Sequence, residues 1–459
     1  NLNYKGEIKS CNHHLAHLAS AYFPSGFEKC LLVSNDGIGE IDSTVYGIGD
    51  RGKINIISDI NSRYPDSLGL IYTAVTFFLG WRIFCDEGII MGLAPYGDEN
   101  AQIPNKNMTY YEVFSDIILI DDNNNYIINK KWISYHTERD KWVSKKFIEV
   151  FGPKRNFDEE IQPHHQNIAA ALQRRLEEVT IKQIKYLKEK YNLDYIAIAG
   201  GVGLNCSLNG KIHEKIGFKK IFIQPASGDS GTPIGACYLA YKEKQGHIEI
   251  KKRYNSYLGS RYNEKDLYEA IKYMNLDFIK PKNLYQSVAK ILADGKIIGW
   301  FQNAAEFGPR ALGNRSILCK PYPVDMKDYI NSRVKFREYF RPFAPAVLSE
   351  NAREYFEINQ ESPHMLMAIK VKQSKKELIP AVVHVDNSCR VQTVTEKNNS
   401  SFYQLLKAFK HETGIPVLLN TSFNVKGQPI VNNPQQALES FKSTSIDCLV
   451  IGNFILEKK

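Results

Sequence analysis

The chain has 459 residues, 43% of them hydrophobic and 24% charged, with a formal charge of +9; these proportions exclude a disordered or fibrous polymer and fit a globular protein of two or three domains. Its longest uncharged apolar stretch, Gly69 to Trp81, stops at Arg82, short of the ~20 residues that a membrane-spanning helix needs. The eight cysteines are scattered, with no CxxC pair, which excludes a disulfide scaffold and points to reduced thiols in a cytoplasmic protein.

The positive charge is spread thinly and interleaved with acids, as in Lys182 to Lys190, and reads as a solvated surface instead of a nucleic-acid face. The first informative segment is Cys11-Asn-His-His-Leu-Ala-His17. On a helix, His13 and His17 point the same way, and two converging imidazoles with one added carboxylate make a transition-metal site. Asp229, in Ser227-Gly-Asp229-Ser-Gly-Thr, is the candidate carboxylate; the alternative is a set of polar residues on a helix end.

Cys30 to Ser34 reads as a buried strand running into the turn Asn35-Asp-Gly-Ile-Gly-Glu40, with a second β-like segment over Ser43 to Gly49. Apolar residues at 168, 172, 176, 179 and 187 predict a helix within Gln166 to Tyr191. Tyr195 to Ala199 is then a short buried strand entering Gly200-Gly-Val-Gly-Leu-Asn205. Strand, glycine turn and helix is the order in which backbone amides cradle a nucleotide, although such a turn alone is often only a tight connection. Here three glycine-lined turns, at Asp36, Gly200 and Asp229, are expected to meet at one cleft.

A second α/β pattern begins near Asn283, with a helix over Ser287 to Ala293 and a strand over Ile297 to Phe301. Beyond it, Glu306-Phe-Gly-Pro-Arg-Ala-Leu-Gly-Asn-Arg315 and Lys335-Phe-Arg-Glu-Tyr-Phe-Arg-Pro-Phe-Ala-Pro345 contribute Arg310, Arg315, Lys335, Arg337 and Arg341. Guanidinium forks match phosphate or carboxylate bidentately. A surface salt-bridge network is the alternative, and the embedded Gly, Pro and Phe argue against it.

These segments, with Pro380 to Asp386, Arg390 to Val394, Pro416 to Asn424, Ser67 to Leu70 and Met91 to Gly97, resemble the O-carbamoyltransferases of the nodulation-factor and cephamycin type along nearly the whole chain. The resemblance implies an α/β protein in two parts. Residues 1–270 would form an actin-like, sugar-kinase ATPase-fold transfer domain of the kind found in tRNA threonylcarbamoyl transfer, and residues 271–459 a YrdC-like domain. The family opens with further residues, including a His-Asp-Ser turn; this chain starts at Asn1 and is expected to be N-terminally incomplete, lacking that domain's first strands. It also has Asn303-Ala304 where the family has Gly-Arg, and Ile89 where a lysine is common.

By that resemblance the second domain makes carbamoyl-adenylate from carbamoyl phosphate and ATP, with Mg2+ accompanying the ATP. The first domain passes the carbamoyl group to a hydroxyl of a small-molecule, sugar-like or secondary-metabolite acceptor. His13, His17 and Asp229 would hold a divalent metal, expected to be iron(II), and Asp36 beside it would help the hydroxyl lose its proton. Gly200, Gly201 and Asn205 fall where the family contacts adenosine. Lys335, Arg390, Ser422 and Asn424 match positions around ATP and carbamoyl phosphate, Arg310 is a phosphate clamp, and Asn420 belongs to the Asn420-Thr-Ser-Phe-Asn424 motif. A homodimer is compatible with this scheme, and neither membrane nor nucleic acid is an expected partner. Two other readings stay open: a tRNA threonylcarbamoyl-adenosine-type modification enzyme, and a non-catalytic nucleotide-binding relative.

Overall fold

The computed structural model describes residues 5–251 and 255–458, and is an α/β protein. It divides into two compact units, one made of Asn1–Asn205 and Lys211–Arg253, the other of Cys206–Gly210 and Tyr254–Lys459.

The first unit is built on a six-stranded sheet. Lys29–Gly39, the central strand, pairs antiparallel with Asp42–Asp50 on one side and parallel with Tyr195–Ala199 on the other. Lys53–Ile56 and Lys220–Ile223 extend the two edges. The central strands are almost wholly buried, as continuous apolar runs such as Cys30-Leu-Leu-Val and Tyr195-Ile-Ala-Ile-Ala require. The parallel register sets Leu31 beside Ile196 and Ser34 beside Ala199. This pairing ends at Ser34 and Ala199, which brings Asp36 beside the Gly200 turn, where open α/β sheets bind ligands; Asp36 itself lies within the strand and not in the turn expected over Asn35 to Glu40, because Lys29–Gly39 runs on against Asp42–Asp50 as a hairpin.

The helix His13–Ser25 begins at Asn12, whose side chain accepts from the Leu15 amide, and ends at Gly26 in the left-handed conformation. It packs against Thr232–Gln245 at a very close crossing, because Gly235 has no side chain to hold the backbones apart. The predicted long helix runs over Pro163–Tyr191, with proline in its first turn and buried residues at the five expected apolar positions.

The second unit has a seven-stranded sheet in the order Gln392–Val394, Ala344–Leu348, Val417–Ser422, Arg315–Cys319, Ile298–Phe301, Cys448–Ile451 and Phe454–Glu457. The helices Leu284–Ala293 and Ser400–Thr413, capped by Asn283 and Asn399, press Val288, Leu292, Phe402, Leu406 and Phe409 onto Trp300, Leu318 and Leu418. No helix among the described residues is long and apolar enough to cross a membrane.

A Cβ at position 235 would lie 1.8 Å from the Ala16 carbonyl oxygen. Gly235→Ala is therefore expected to push the two helices apart and destabilise the first unit by about 1–3 kcal/mol, read as a lowered thermal midpoint; an unchanged midpoint would contradict this packing.

Candidate functional sites

In the first unit, His13, His17, Asp36 and Asp229 each offer one ligand atom, all within 4.8 Å of one another. The Nε2 atoms of His13 and His17 lie 3.1 Å apart. Asp36 Oδ2 stands 3.1 Å from the first and 2.9 Å from the second, while Asp229 Oδ1 stands at 3.7 and 3.5 Å. Ligands at ~2.1 Å from one divalent ion are separated by roughly 3.0–3.4 Å in octahedral or tetrahedral arrangements, so the His13, His17 and Asp36 spacings suit a shared cation while Asp229 stands a little farther out. Two nitrogens and two carboxylate oxygens suit zinc, iron(II) or manganese better than a hard ion of calcium type.

The other half of the Asp36 carboxylate explains its aim. Oδ1 accepts from the amides of Gly37 (2.8 Å) and Gly201 (3.1 Å), which turns Oδ2 onto the imidazoles. Burial alone would raise Asp36, but hydrogen bonds from His13 and His17 outweigh it and hold the carboxyl well below the usual range. His13 is raised chiefly by its hydrogen bond to Asp36, against burial. The sequence places Asp36 beside the metal as a proton acceptor; the geometry sets its Oδ2 among the same group of donor atoms as His13, His17 and Asp229.

His14 lies between the two in sequence and faces elsewhere. Its Nε2–H donates to the Asp42 carbonyl (2.8 Å) and its Nδ1 accepts from Ser34 Oγ (2.7 Å), and burial keeps it neutral by lowering its pKa.

The three glycine-lined segments do converge. Ser67 caps the helix Leu68–Phe78 and donates to the Gly37 carbonyl at 2.6 Å, fastening the Asp36 segment from behind. Ser227 Oγ donates to the Gly200 carbonyl (3.0 Å), tying the Asp229 loop to the glycine turn. Gly200 adopts φ 85° with the Asn35 backbone against it, so only glycine fits. Asn205, at the end of the turn, is buried, and its amide is paired reciprocally with that of Gln173.

In the second unit, Arg310, Lys335, Arg337, Arg341 and Arg390 form one electrostatic cluster. Burial first, then Arg390 and Arg341, pushes Arg310 down to about 9; burial first, then Arg337 and Arg341, takes Lys335 well below its ordinary value. Arginine stays protonated at neutral pH, so these shifts express first the cost of burying the charges and second their mutual repulsion. Among the described residues the carboxylate paired with the cluster is Glu338, shared between Arg341 (3.5 Å) and Lys426 (3.0 Å). The side-chain Nε atoms of Arg310 and Arg390 have no hydrogen-bond partner.

Local folding puts the cluster there. Asn331–Lys335 is a π-helical turn and Phe336 is left-handed, a combination that delivers Lys335 inward. The Asn331 side chain then gathers the next loop, donating to Arg341 O (3.2 Å) and accepting from Arg337 Nε (2.8 Å). Lys335 Nζ is ringed by Ser422 O (2.8 Å), Ser422 Oγ (3.2 Å), Asn424 O (2.8 Å) and Asn424 Oδ1 (2.5 Å), so three expected residues meet at the end of the strand Val417–Ser422. Asn420, one turn inward, donates to Gln392 Oε1 at 2.8 Å and keeps its own Oδ1 unpartnered.

Arg315 is arranged differently from the other arginines. It is fully buried, lies over the Phe301 ring, and donates to the carbonyls of Gln302 (2.5 Å), Asn314 (3.0 Å), Ser260 (3.0 Å) and Asn303 (3.2 Å). Its Nη1 and Nη2 donors are occupied by main chain, while its Nε, like those of Arg310 and Arg390, has no hydrogen-bond partner among the described residues. Two residues escaped the sequence reading. Glu306 Oε1 accepts from the amides of Leu312 (2.7 Å), Asn314 (2.8 Å) and Arg315 (3.1 Å), shaping the loop that carries Arg310. Cys206 opens the helix Cys206–Lys215 and its thiol hydrogen-bonds Arg390. Glu306 lies inside a motif scanned only for cations, and Cys206 directly follows the glycine turn; both positions carried the signal.

The two kinds of arginine should respond oppositely to loss of charge. Arg315→Met strands four buried carbonyls and is expected to cost at least about 3 kcal/mol, whereas Arg310→Met relieves repulsion and should leave the urea midpoint at low ionic strength unchanged or higher. A similar loss in both variants would refute the distinction.

The family models for the carbamoyltransferase N-terminus and C-terminus match residues 2–238 and 289–458. Nodulation protein NolNO of Sinorhizobium fredii is 36% identical over 98% of this chain and 64% of its own length, and nodulation protein NolO of Bradyrhizobium diazoefficiens is 35% identical over 98% and 79%. A 3'-hydroxymethylcephem-O-carbamoyltransferase of Streptomyces clavuligerus is 32% identical over 56% of this chain and 47% of its own. The chain thus spans about two thirds to four fifths of these nodulation proteins and about half of the cephem enzyme. A crystal structure of full-length HypF in its phosphate- and nucleotide-bound form overlaps 37% of this chain and 21% of its own, at 18% identity and a TM-score of 0.26, an overlap too partial to define a shared fold. With both family models matched and such identity along its length, this chain belongs to the carbamoyltransferase family of enzymes.

Proposed function

We propose that the chain is an O-carbamoyltransferase that works in two half-reactions, one in each unit. The observation that carries this reading is the cation cluster Arg310, Lys335, Arg337, Arg341 and Arg390, in which like charges are held together with little acid to offset them. Such a site is complementary to several phosphate groups at once, as ATP with carbamoyl phosphate would provide. There, water cleaves carbamoyl phosphate to carbamate and inorganic phosphate, a carbamate oxygen attacks the α-phosphorus of ATP, and pyrophosphate departs. The product, carbamoyl-adenylate, carries a far better leaving group than carbamate itself. Lys335, positioned by Ser422 and Asn424, and the four arginines spread the charge of the transferring phosphoryl group, with Mg2+ accompanying ATP.

In the first unit, the glycine turn Gly200–Asn205 receives the adenylate, and the acceptor hydroxyl attacks the carbamoyl carbon as AMP leaves. His13, His17, Asp36 and Asp229 would hold a divalent ion, iron(II) in this reading, which when bound polarises the carbamoyl carbonyl and engages phosphate oxygens. The rigid fastening of Asp36 to two backbone amides supports its reading as a ligand. The names of the relatives support a small-molecule acceptor, and the finer fold assignment that accompanies the reading is an actin-like first unit and a YrdC-like second unit in a cytoplasmic enzyme.

The two sites should fail separately. Lys335→Ala is expected to lower carbamoyl phosphate-dependent pyrophosphate release by roughly a hundredfold or more, corresponding to about 3 kcal/mol of transition-state stabilisation, yet still to transfer from synthetic carbamoyl-adenylate. His17→Ala should release pyrophosphate normally, lose its bound metal by elemental analysis and fail in transfer. If both variants fail equally with the synthetic adenylate, the two-site reading is wrong.

A further inference from the structure

Five side chains of the first unit, of which the proposed chemistry uses Asn205 alone, form a continuous chain of hydrogen bonds that ends at the glycine turn. Asn205 Nδ2 donates to Gln173 Oε1 (2.9 Å), and Gln173 Nε2 donates back to Asn205 Oδ1 (3.0 Å). Gln173 Oε1 also accepts from the Tyr72 hydroxyl (2.9 Å), while Gln173 Nε2 also donates to Glu177 Oε1 (2.7 Å). The second oxygen of Glu177 accepts from Lys211. Gln173 and Glu177 lie four residues apart on one face of Pro163–Tyr191, and Tyr72, Gln173, Glu177 and Asn205 are all buried.

An amide side chain has two ends of nearly equal shape, and which end points where follows from its partners. Two amides paired with each other can flip together and keep both bonds. A hydroxyl such as that of Tyr72 can donate or accept, so it does not choose. The carboxylate of Glu177, bonded by Lys211, can only accept, and it forces Gln173 to present its NH2 group. That choice passes to Asn205, whose oxygen must then face Gln173 Nε2. We propose that Glu177, acting through Gln173, is the positioning residue that sets the donor and acceptor polarity Asn205 offers at the glycine turn, and so selects the orientation in which the adenylate is bound. This rests on the reading that the Gly200–Asn205 turn takes the adenylate.

Glu177→Gln keeps the shape and can keep every hydrogen bond, but removes the acceptor-only group. In the full chain, with transfer from synthetic carbamoyl-adenylate as the assay, we expect KM to rise about tenfold, the scale of one misdirected hydrogen bond, with kcat within about twofold and the thermal midpoint unchanged or higher. Tyr72→Phe should leave KM within about twofold. Pyrophosphate release should be unaltered in both. An unchanged KM in Glu177→Gln overturns the proposal, and so does an equal rise in both variants, which would mark a purely structural network. Should Glu177→Gln fold poorly, Gln173→Met gives the same reading, a raised KM supporting the relay and an unchanged KM refuting it. If the wild-type chain transfers nothing from the adenylate, the two-site function fails; AMP binding to Lys335→Ala chains with and without Glu177→Gln then decides the relay, weaker binding supporting it and equal binding overturning it.

Discussion

The first unit depends on how one carboxylate is gripped. Asp36 has an oxygen held by amides from two different chain segments, its own strand and the glycine turn 165 residues later, and an oxygen facing two imidazoles. Backbone amides cannot rotate away as side chains can, so the carboxylate is fixed before any ligand arrives. The parallel pairing of Lys29–Gly39 with Tyr195–Ala199 is what brings those amides to one carboxylate. A slip of the register by one residue would turn Asp36 to the other face of the sheet and dissolve the site without removing any of its residues.

The second unit solves the opposite problem. It assembles cations that repel one another with few acids against them: Glu338 pairs with Arg341, and the other supports are neutral side chains or an acid spent on main-chain amides. Asn331 gathers the Arg337 and Arg341 loop, Glu306 spends one oxygen on three main-chain amides, and Ser422 with Asn424 surrounds the Lys335 ammonium. Had acids been used to hold these side chains, the charges would have been neutralised in place and the cluster would bind nothing. Folding stability is thus exchanged for charge left available, as functional sites commonly require.

Much of this could be read from the sequence because its determinants are local. The i, i+4 spacing of His13 and His17, the apolar run before Gly200 and the periodicity of the helix ending at Tyr191 each follow from neighbours a few residues away. Convergence of the three glycine-lined segments was legible for a related reason, since each stands near a strand end or helix start. The role of Arg315 was not, because nothing near it in sequence distinguishes an arginine facing solvent or ligand from one whose guanidinium meets carbonyls at 260, 302, 303 and 314. His14 shows the same limit in reverse: it shares a motif with the clustered His13 and His17, and only the hairpin carrying Asp42 decides that its ring is locked to a carbonyl. Asp36 was recognised as important, but whether it lies in the ligand cluster or beside it turns on the Gly201 amide.

The under-neutralised cluster has a thermodynamic corollary. A polyanion that settles among these side chains removes the repulsion along with filling the site, so ligand occupancy and folding free energy become linked quantities. Any such anion in excess over its dissociation constant adds to stability as the logarithm of that ratio, about 2.7 kcal/mol at a hundredfold excess. Under the proposed function, the resistance of the second unit to unfolding would depend on the phosphate content of its surroundings as well as on its own sequence.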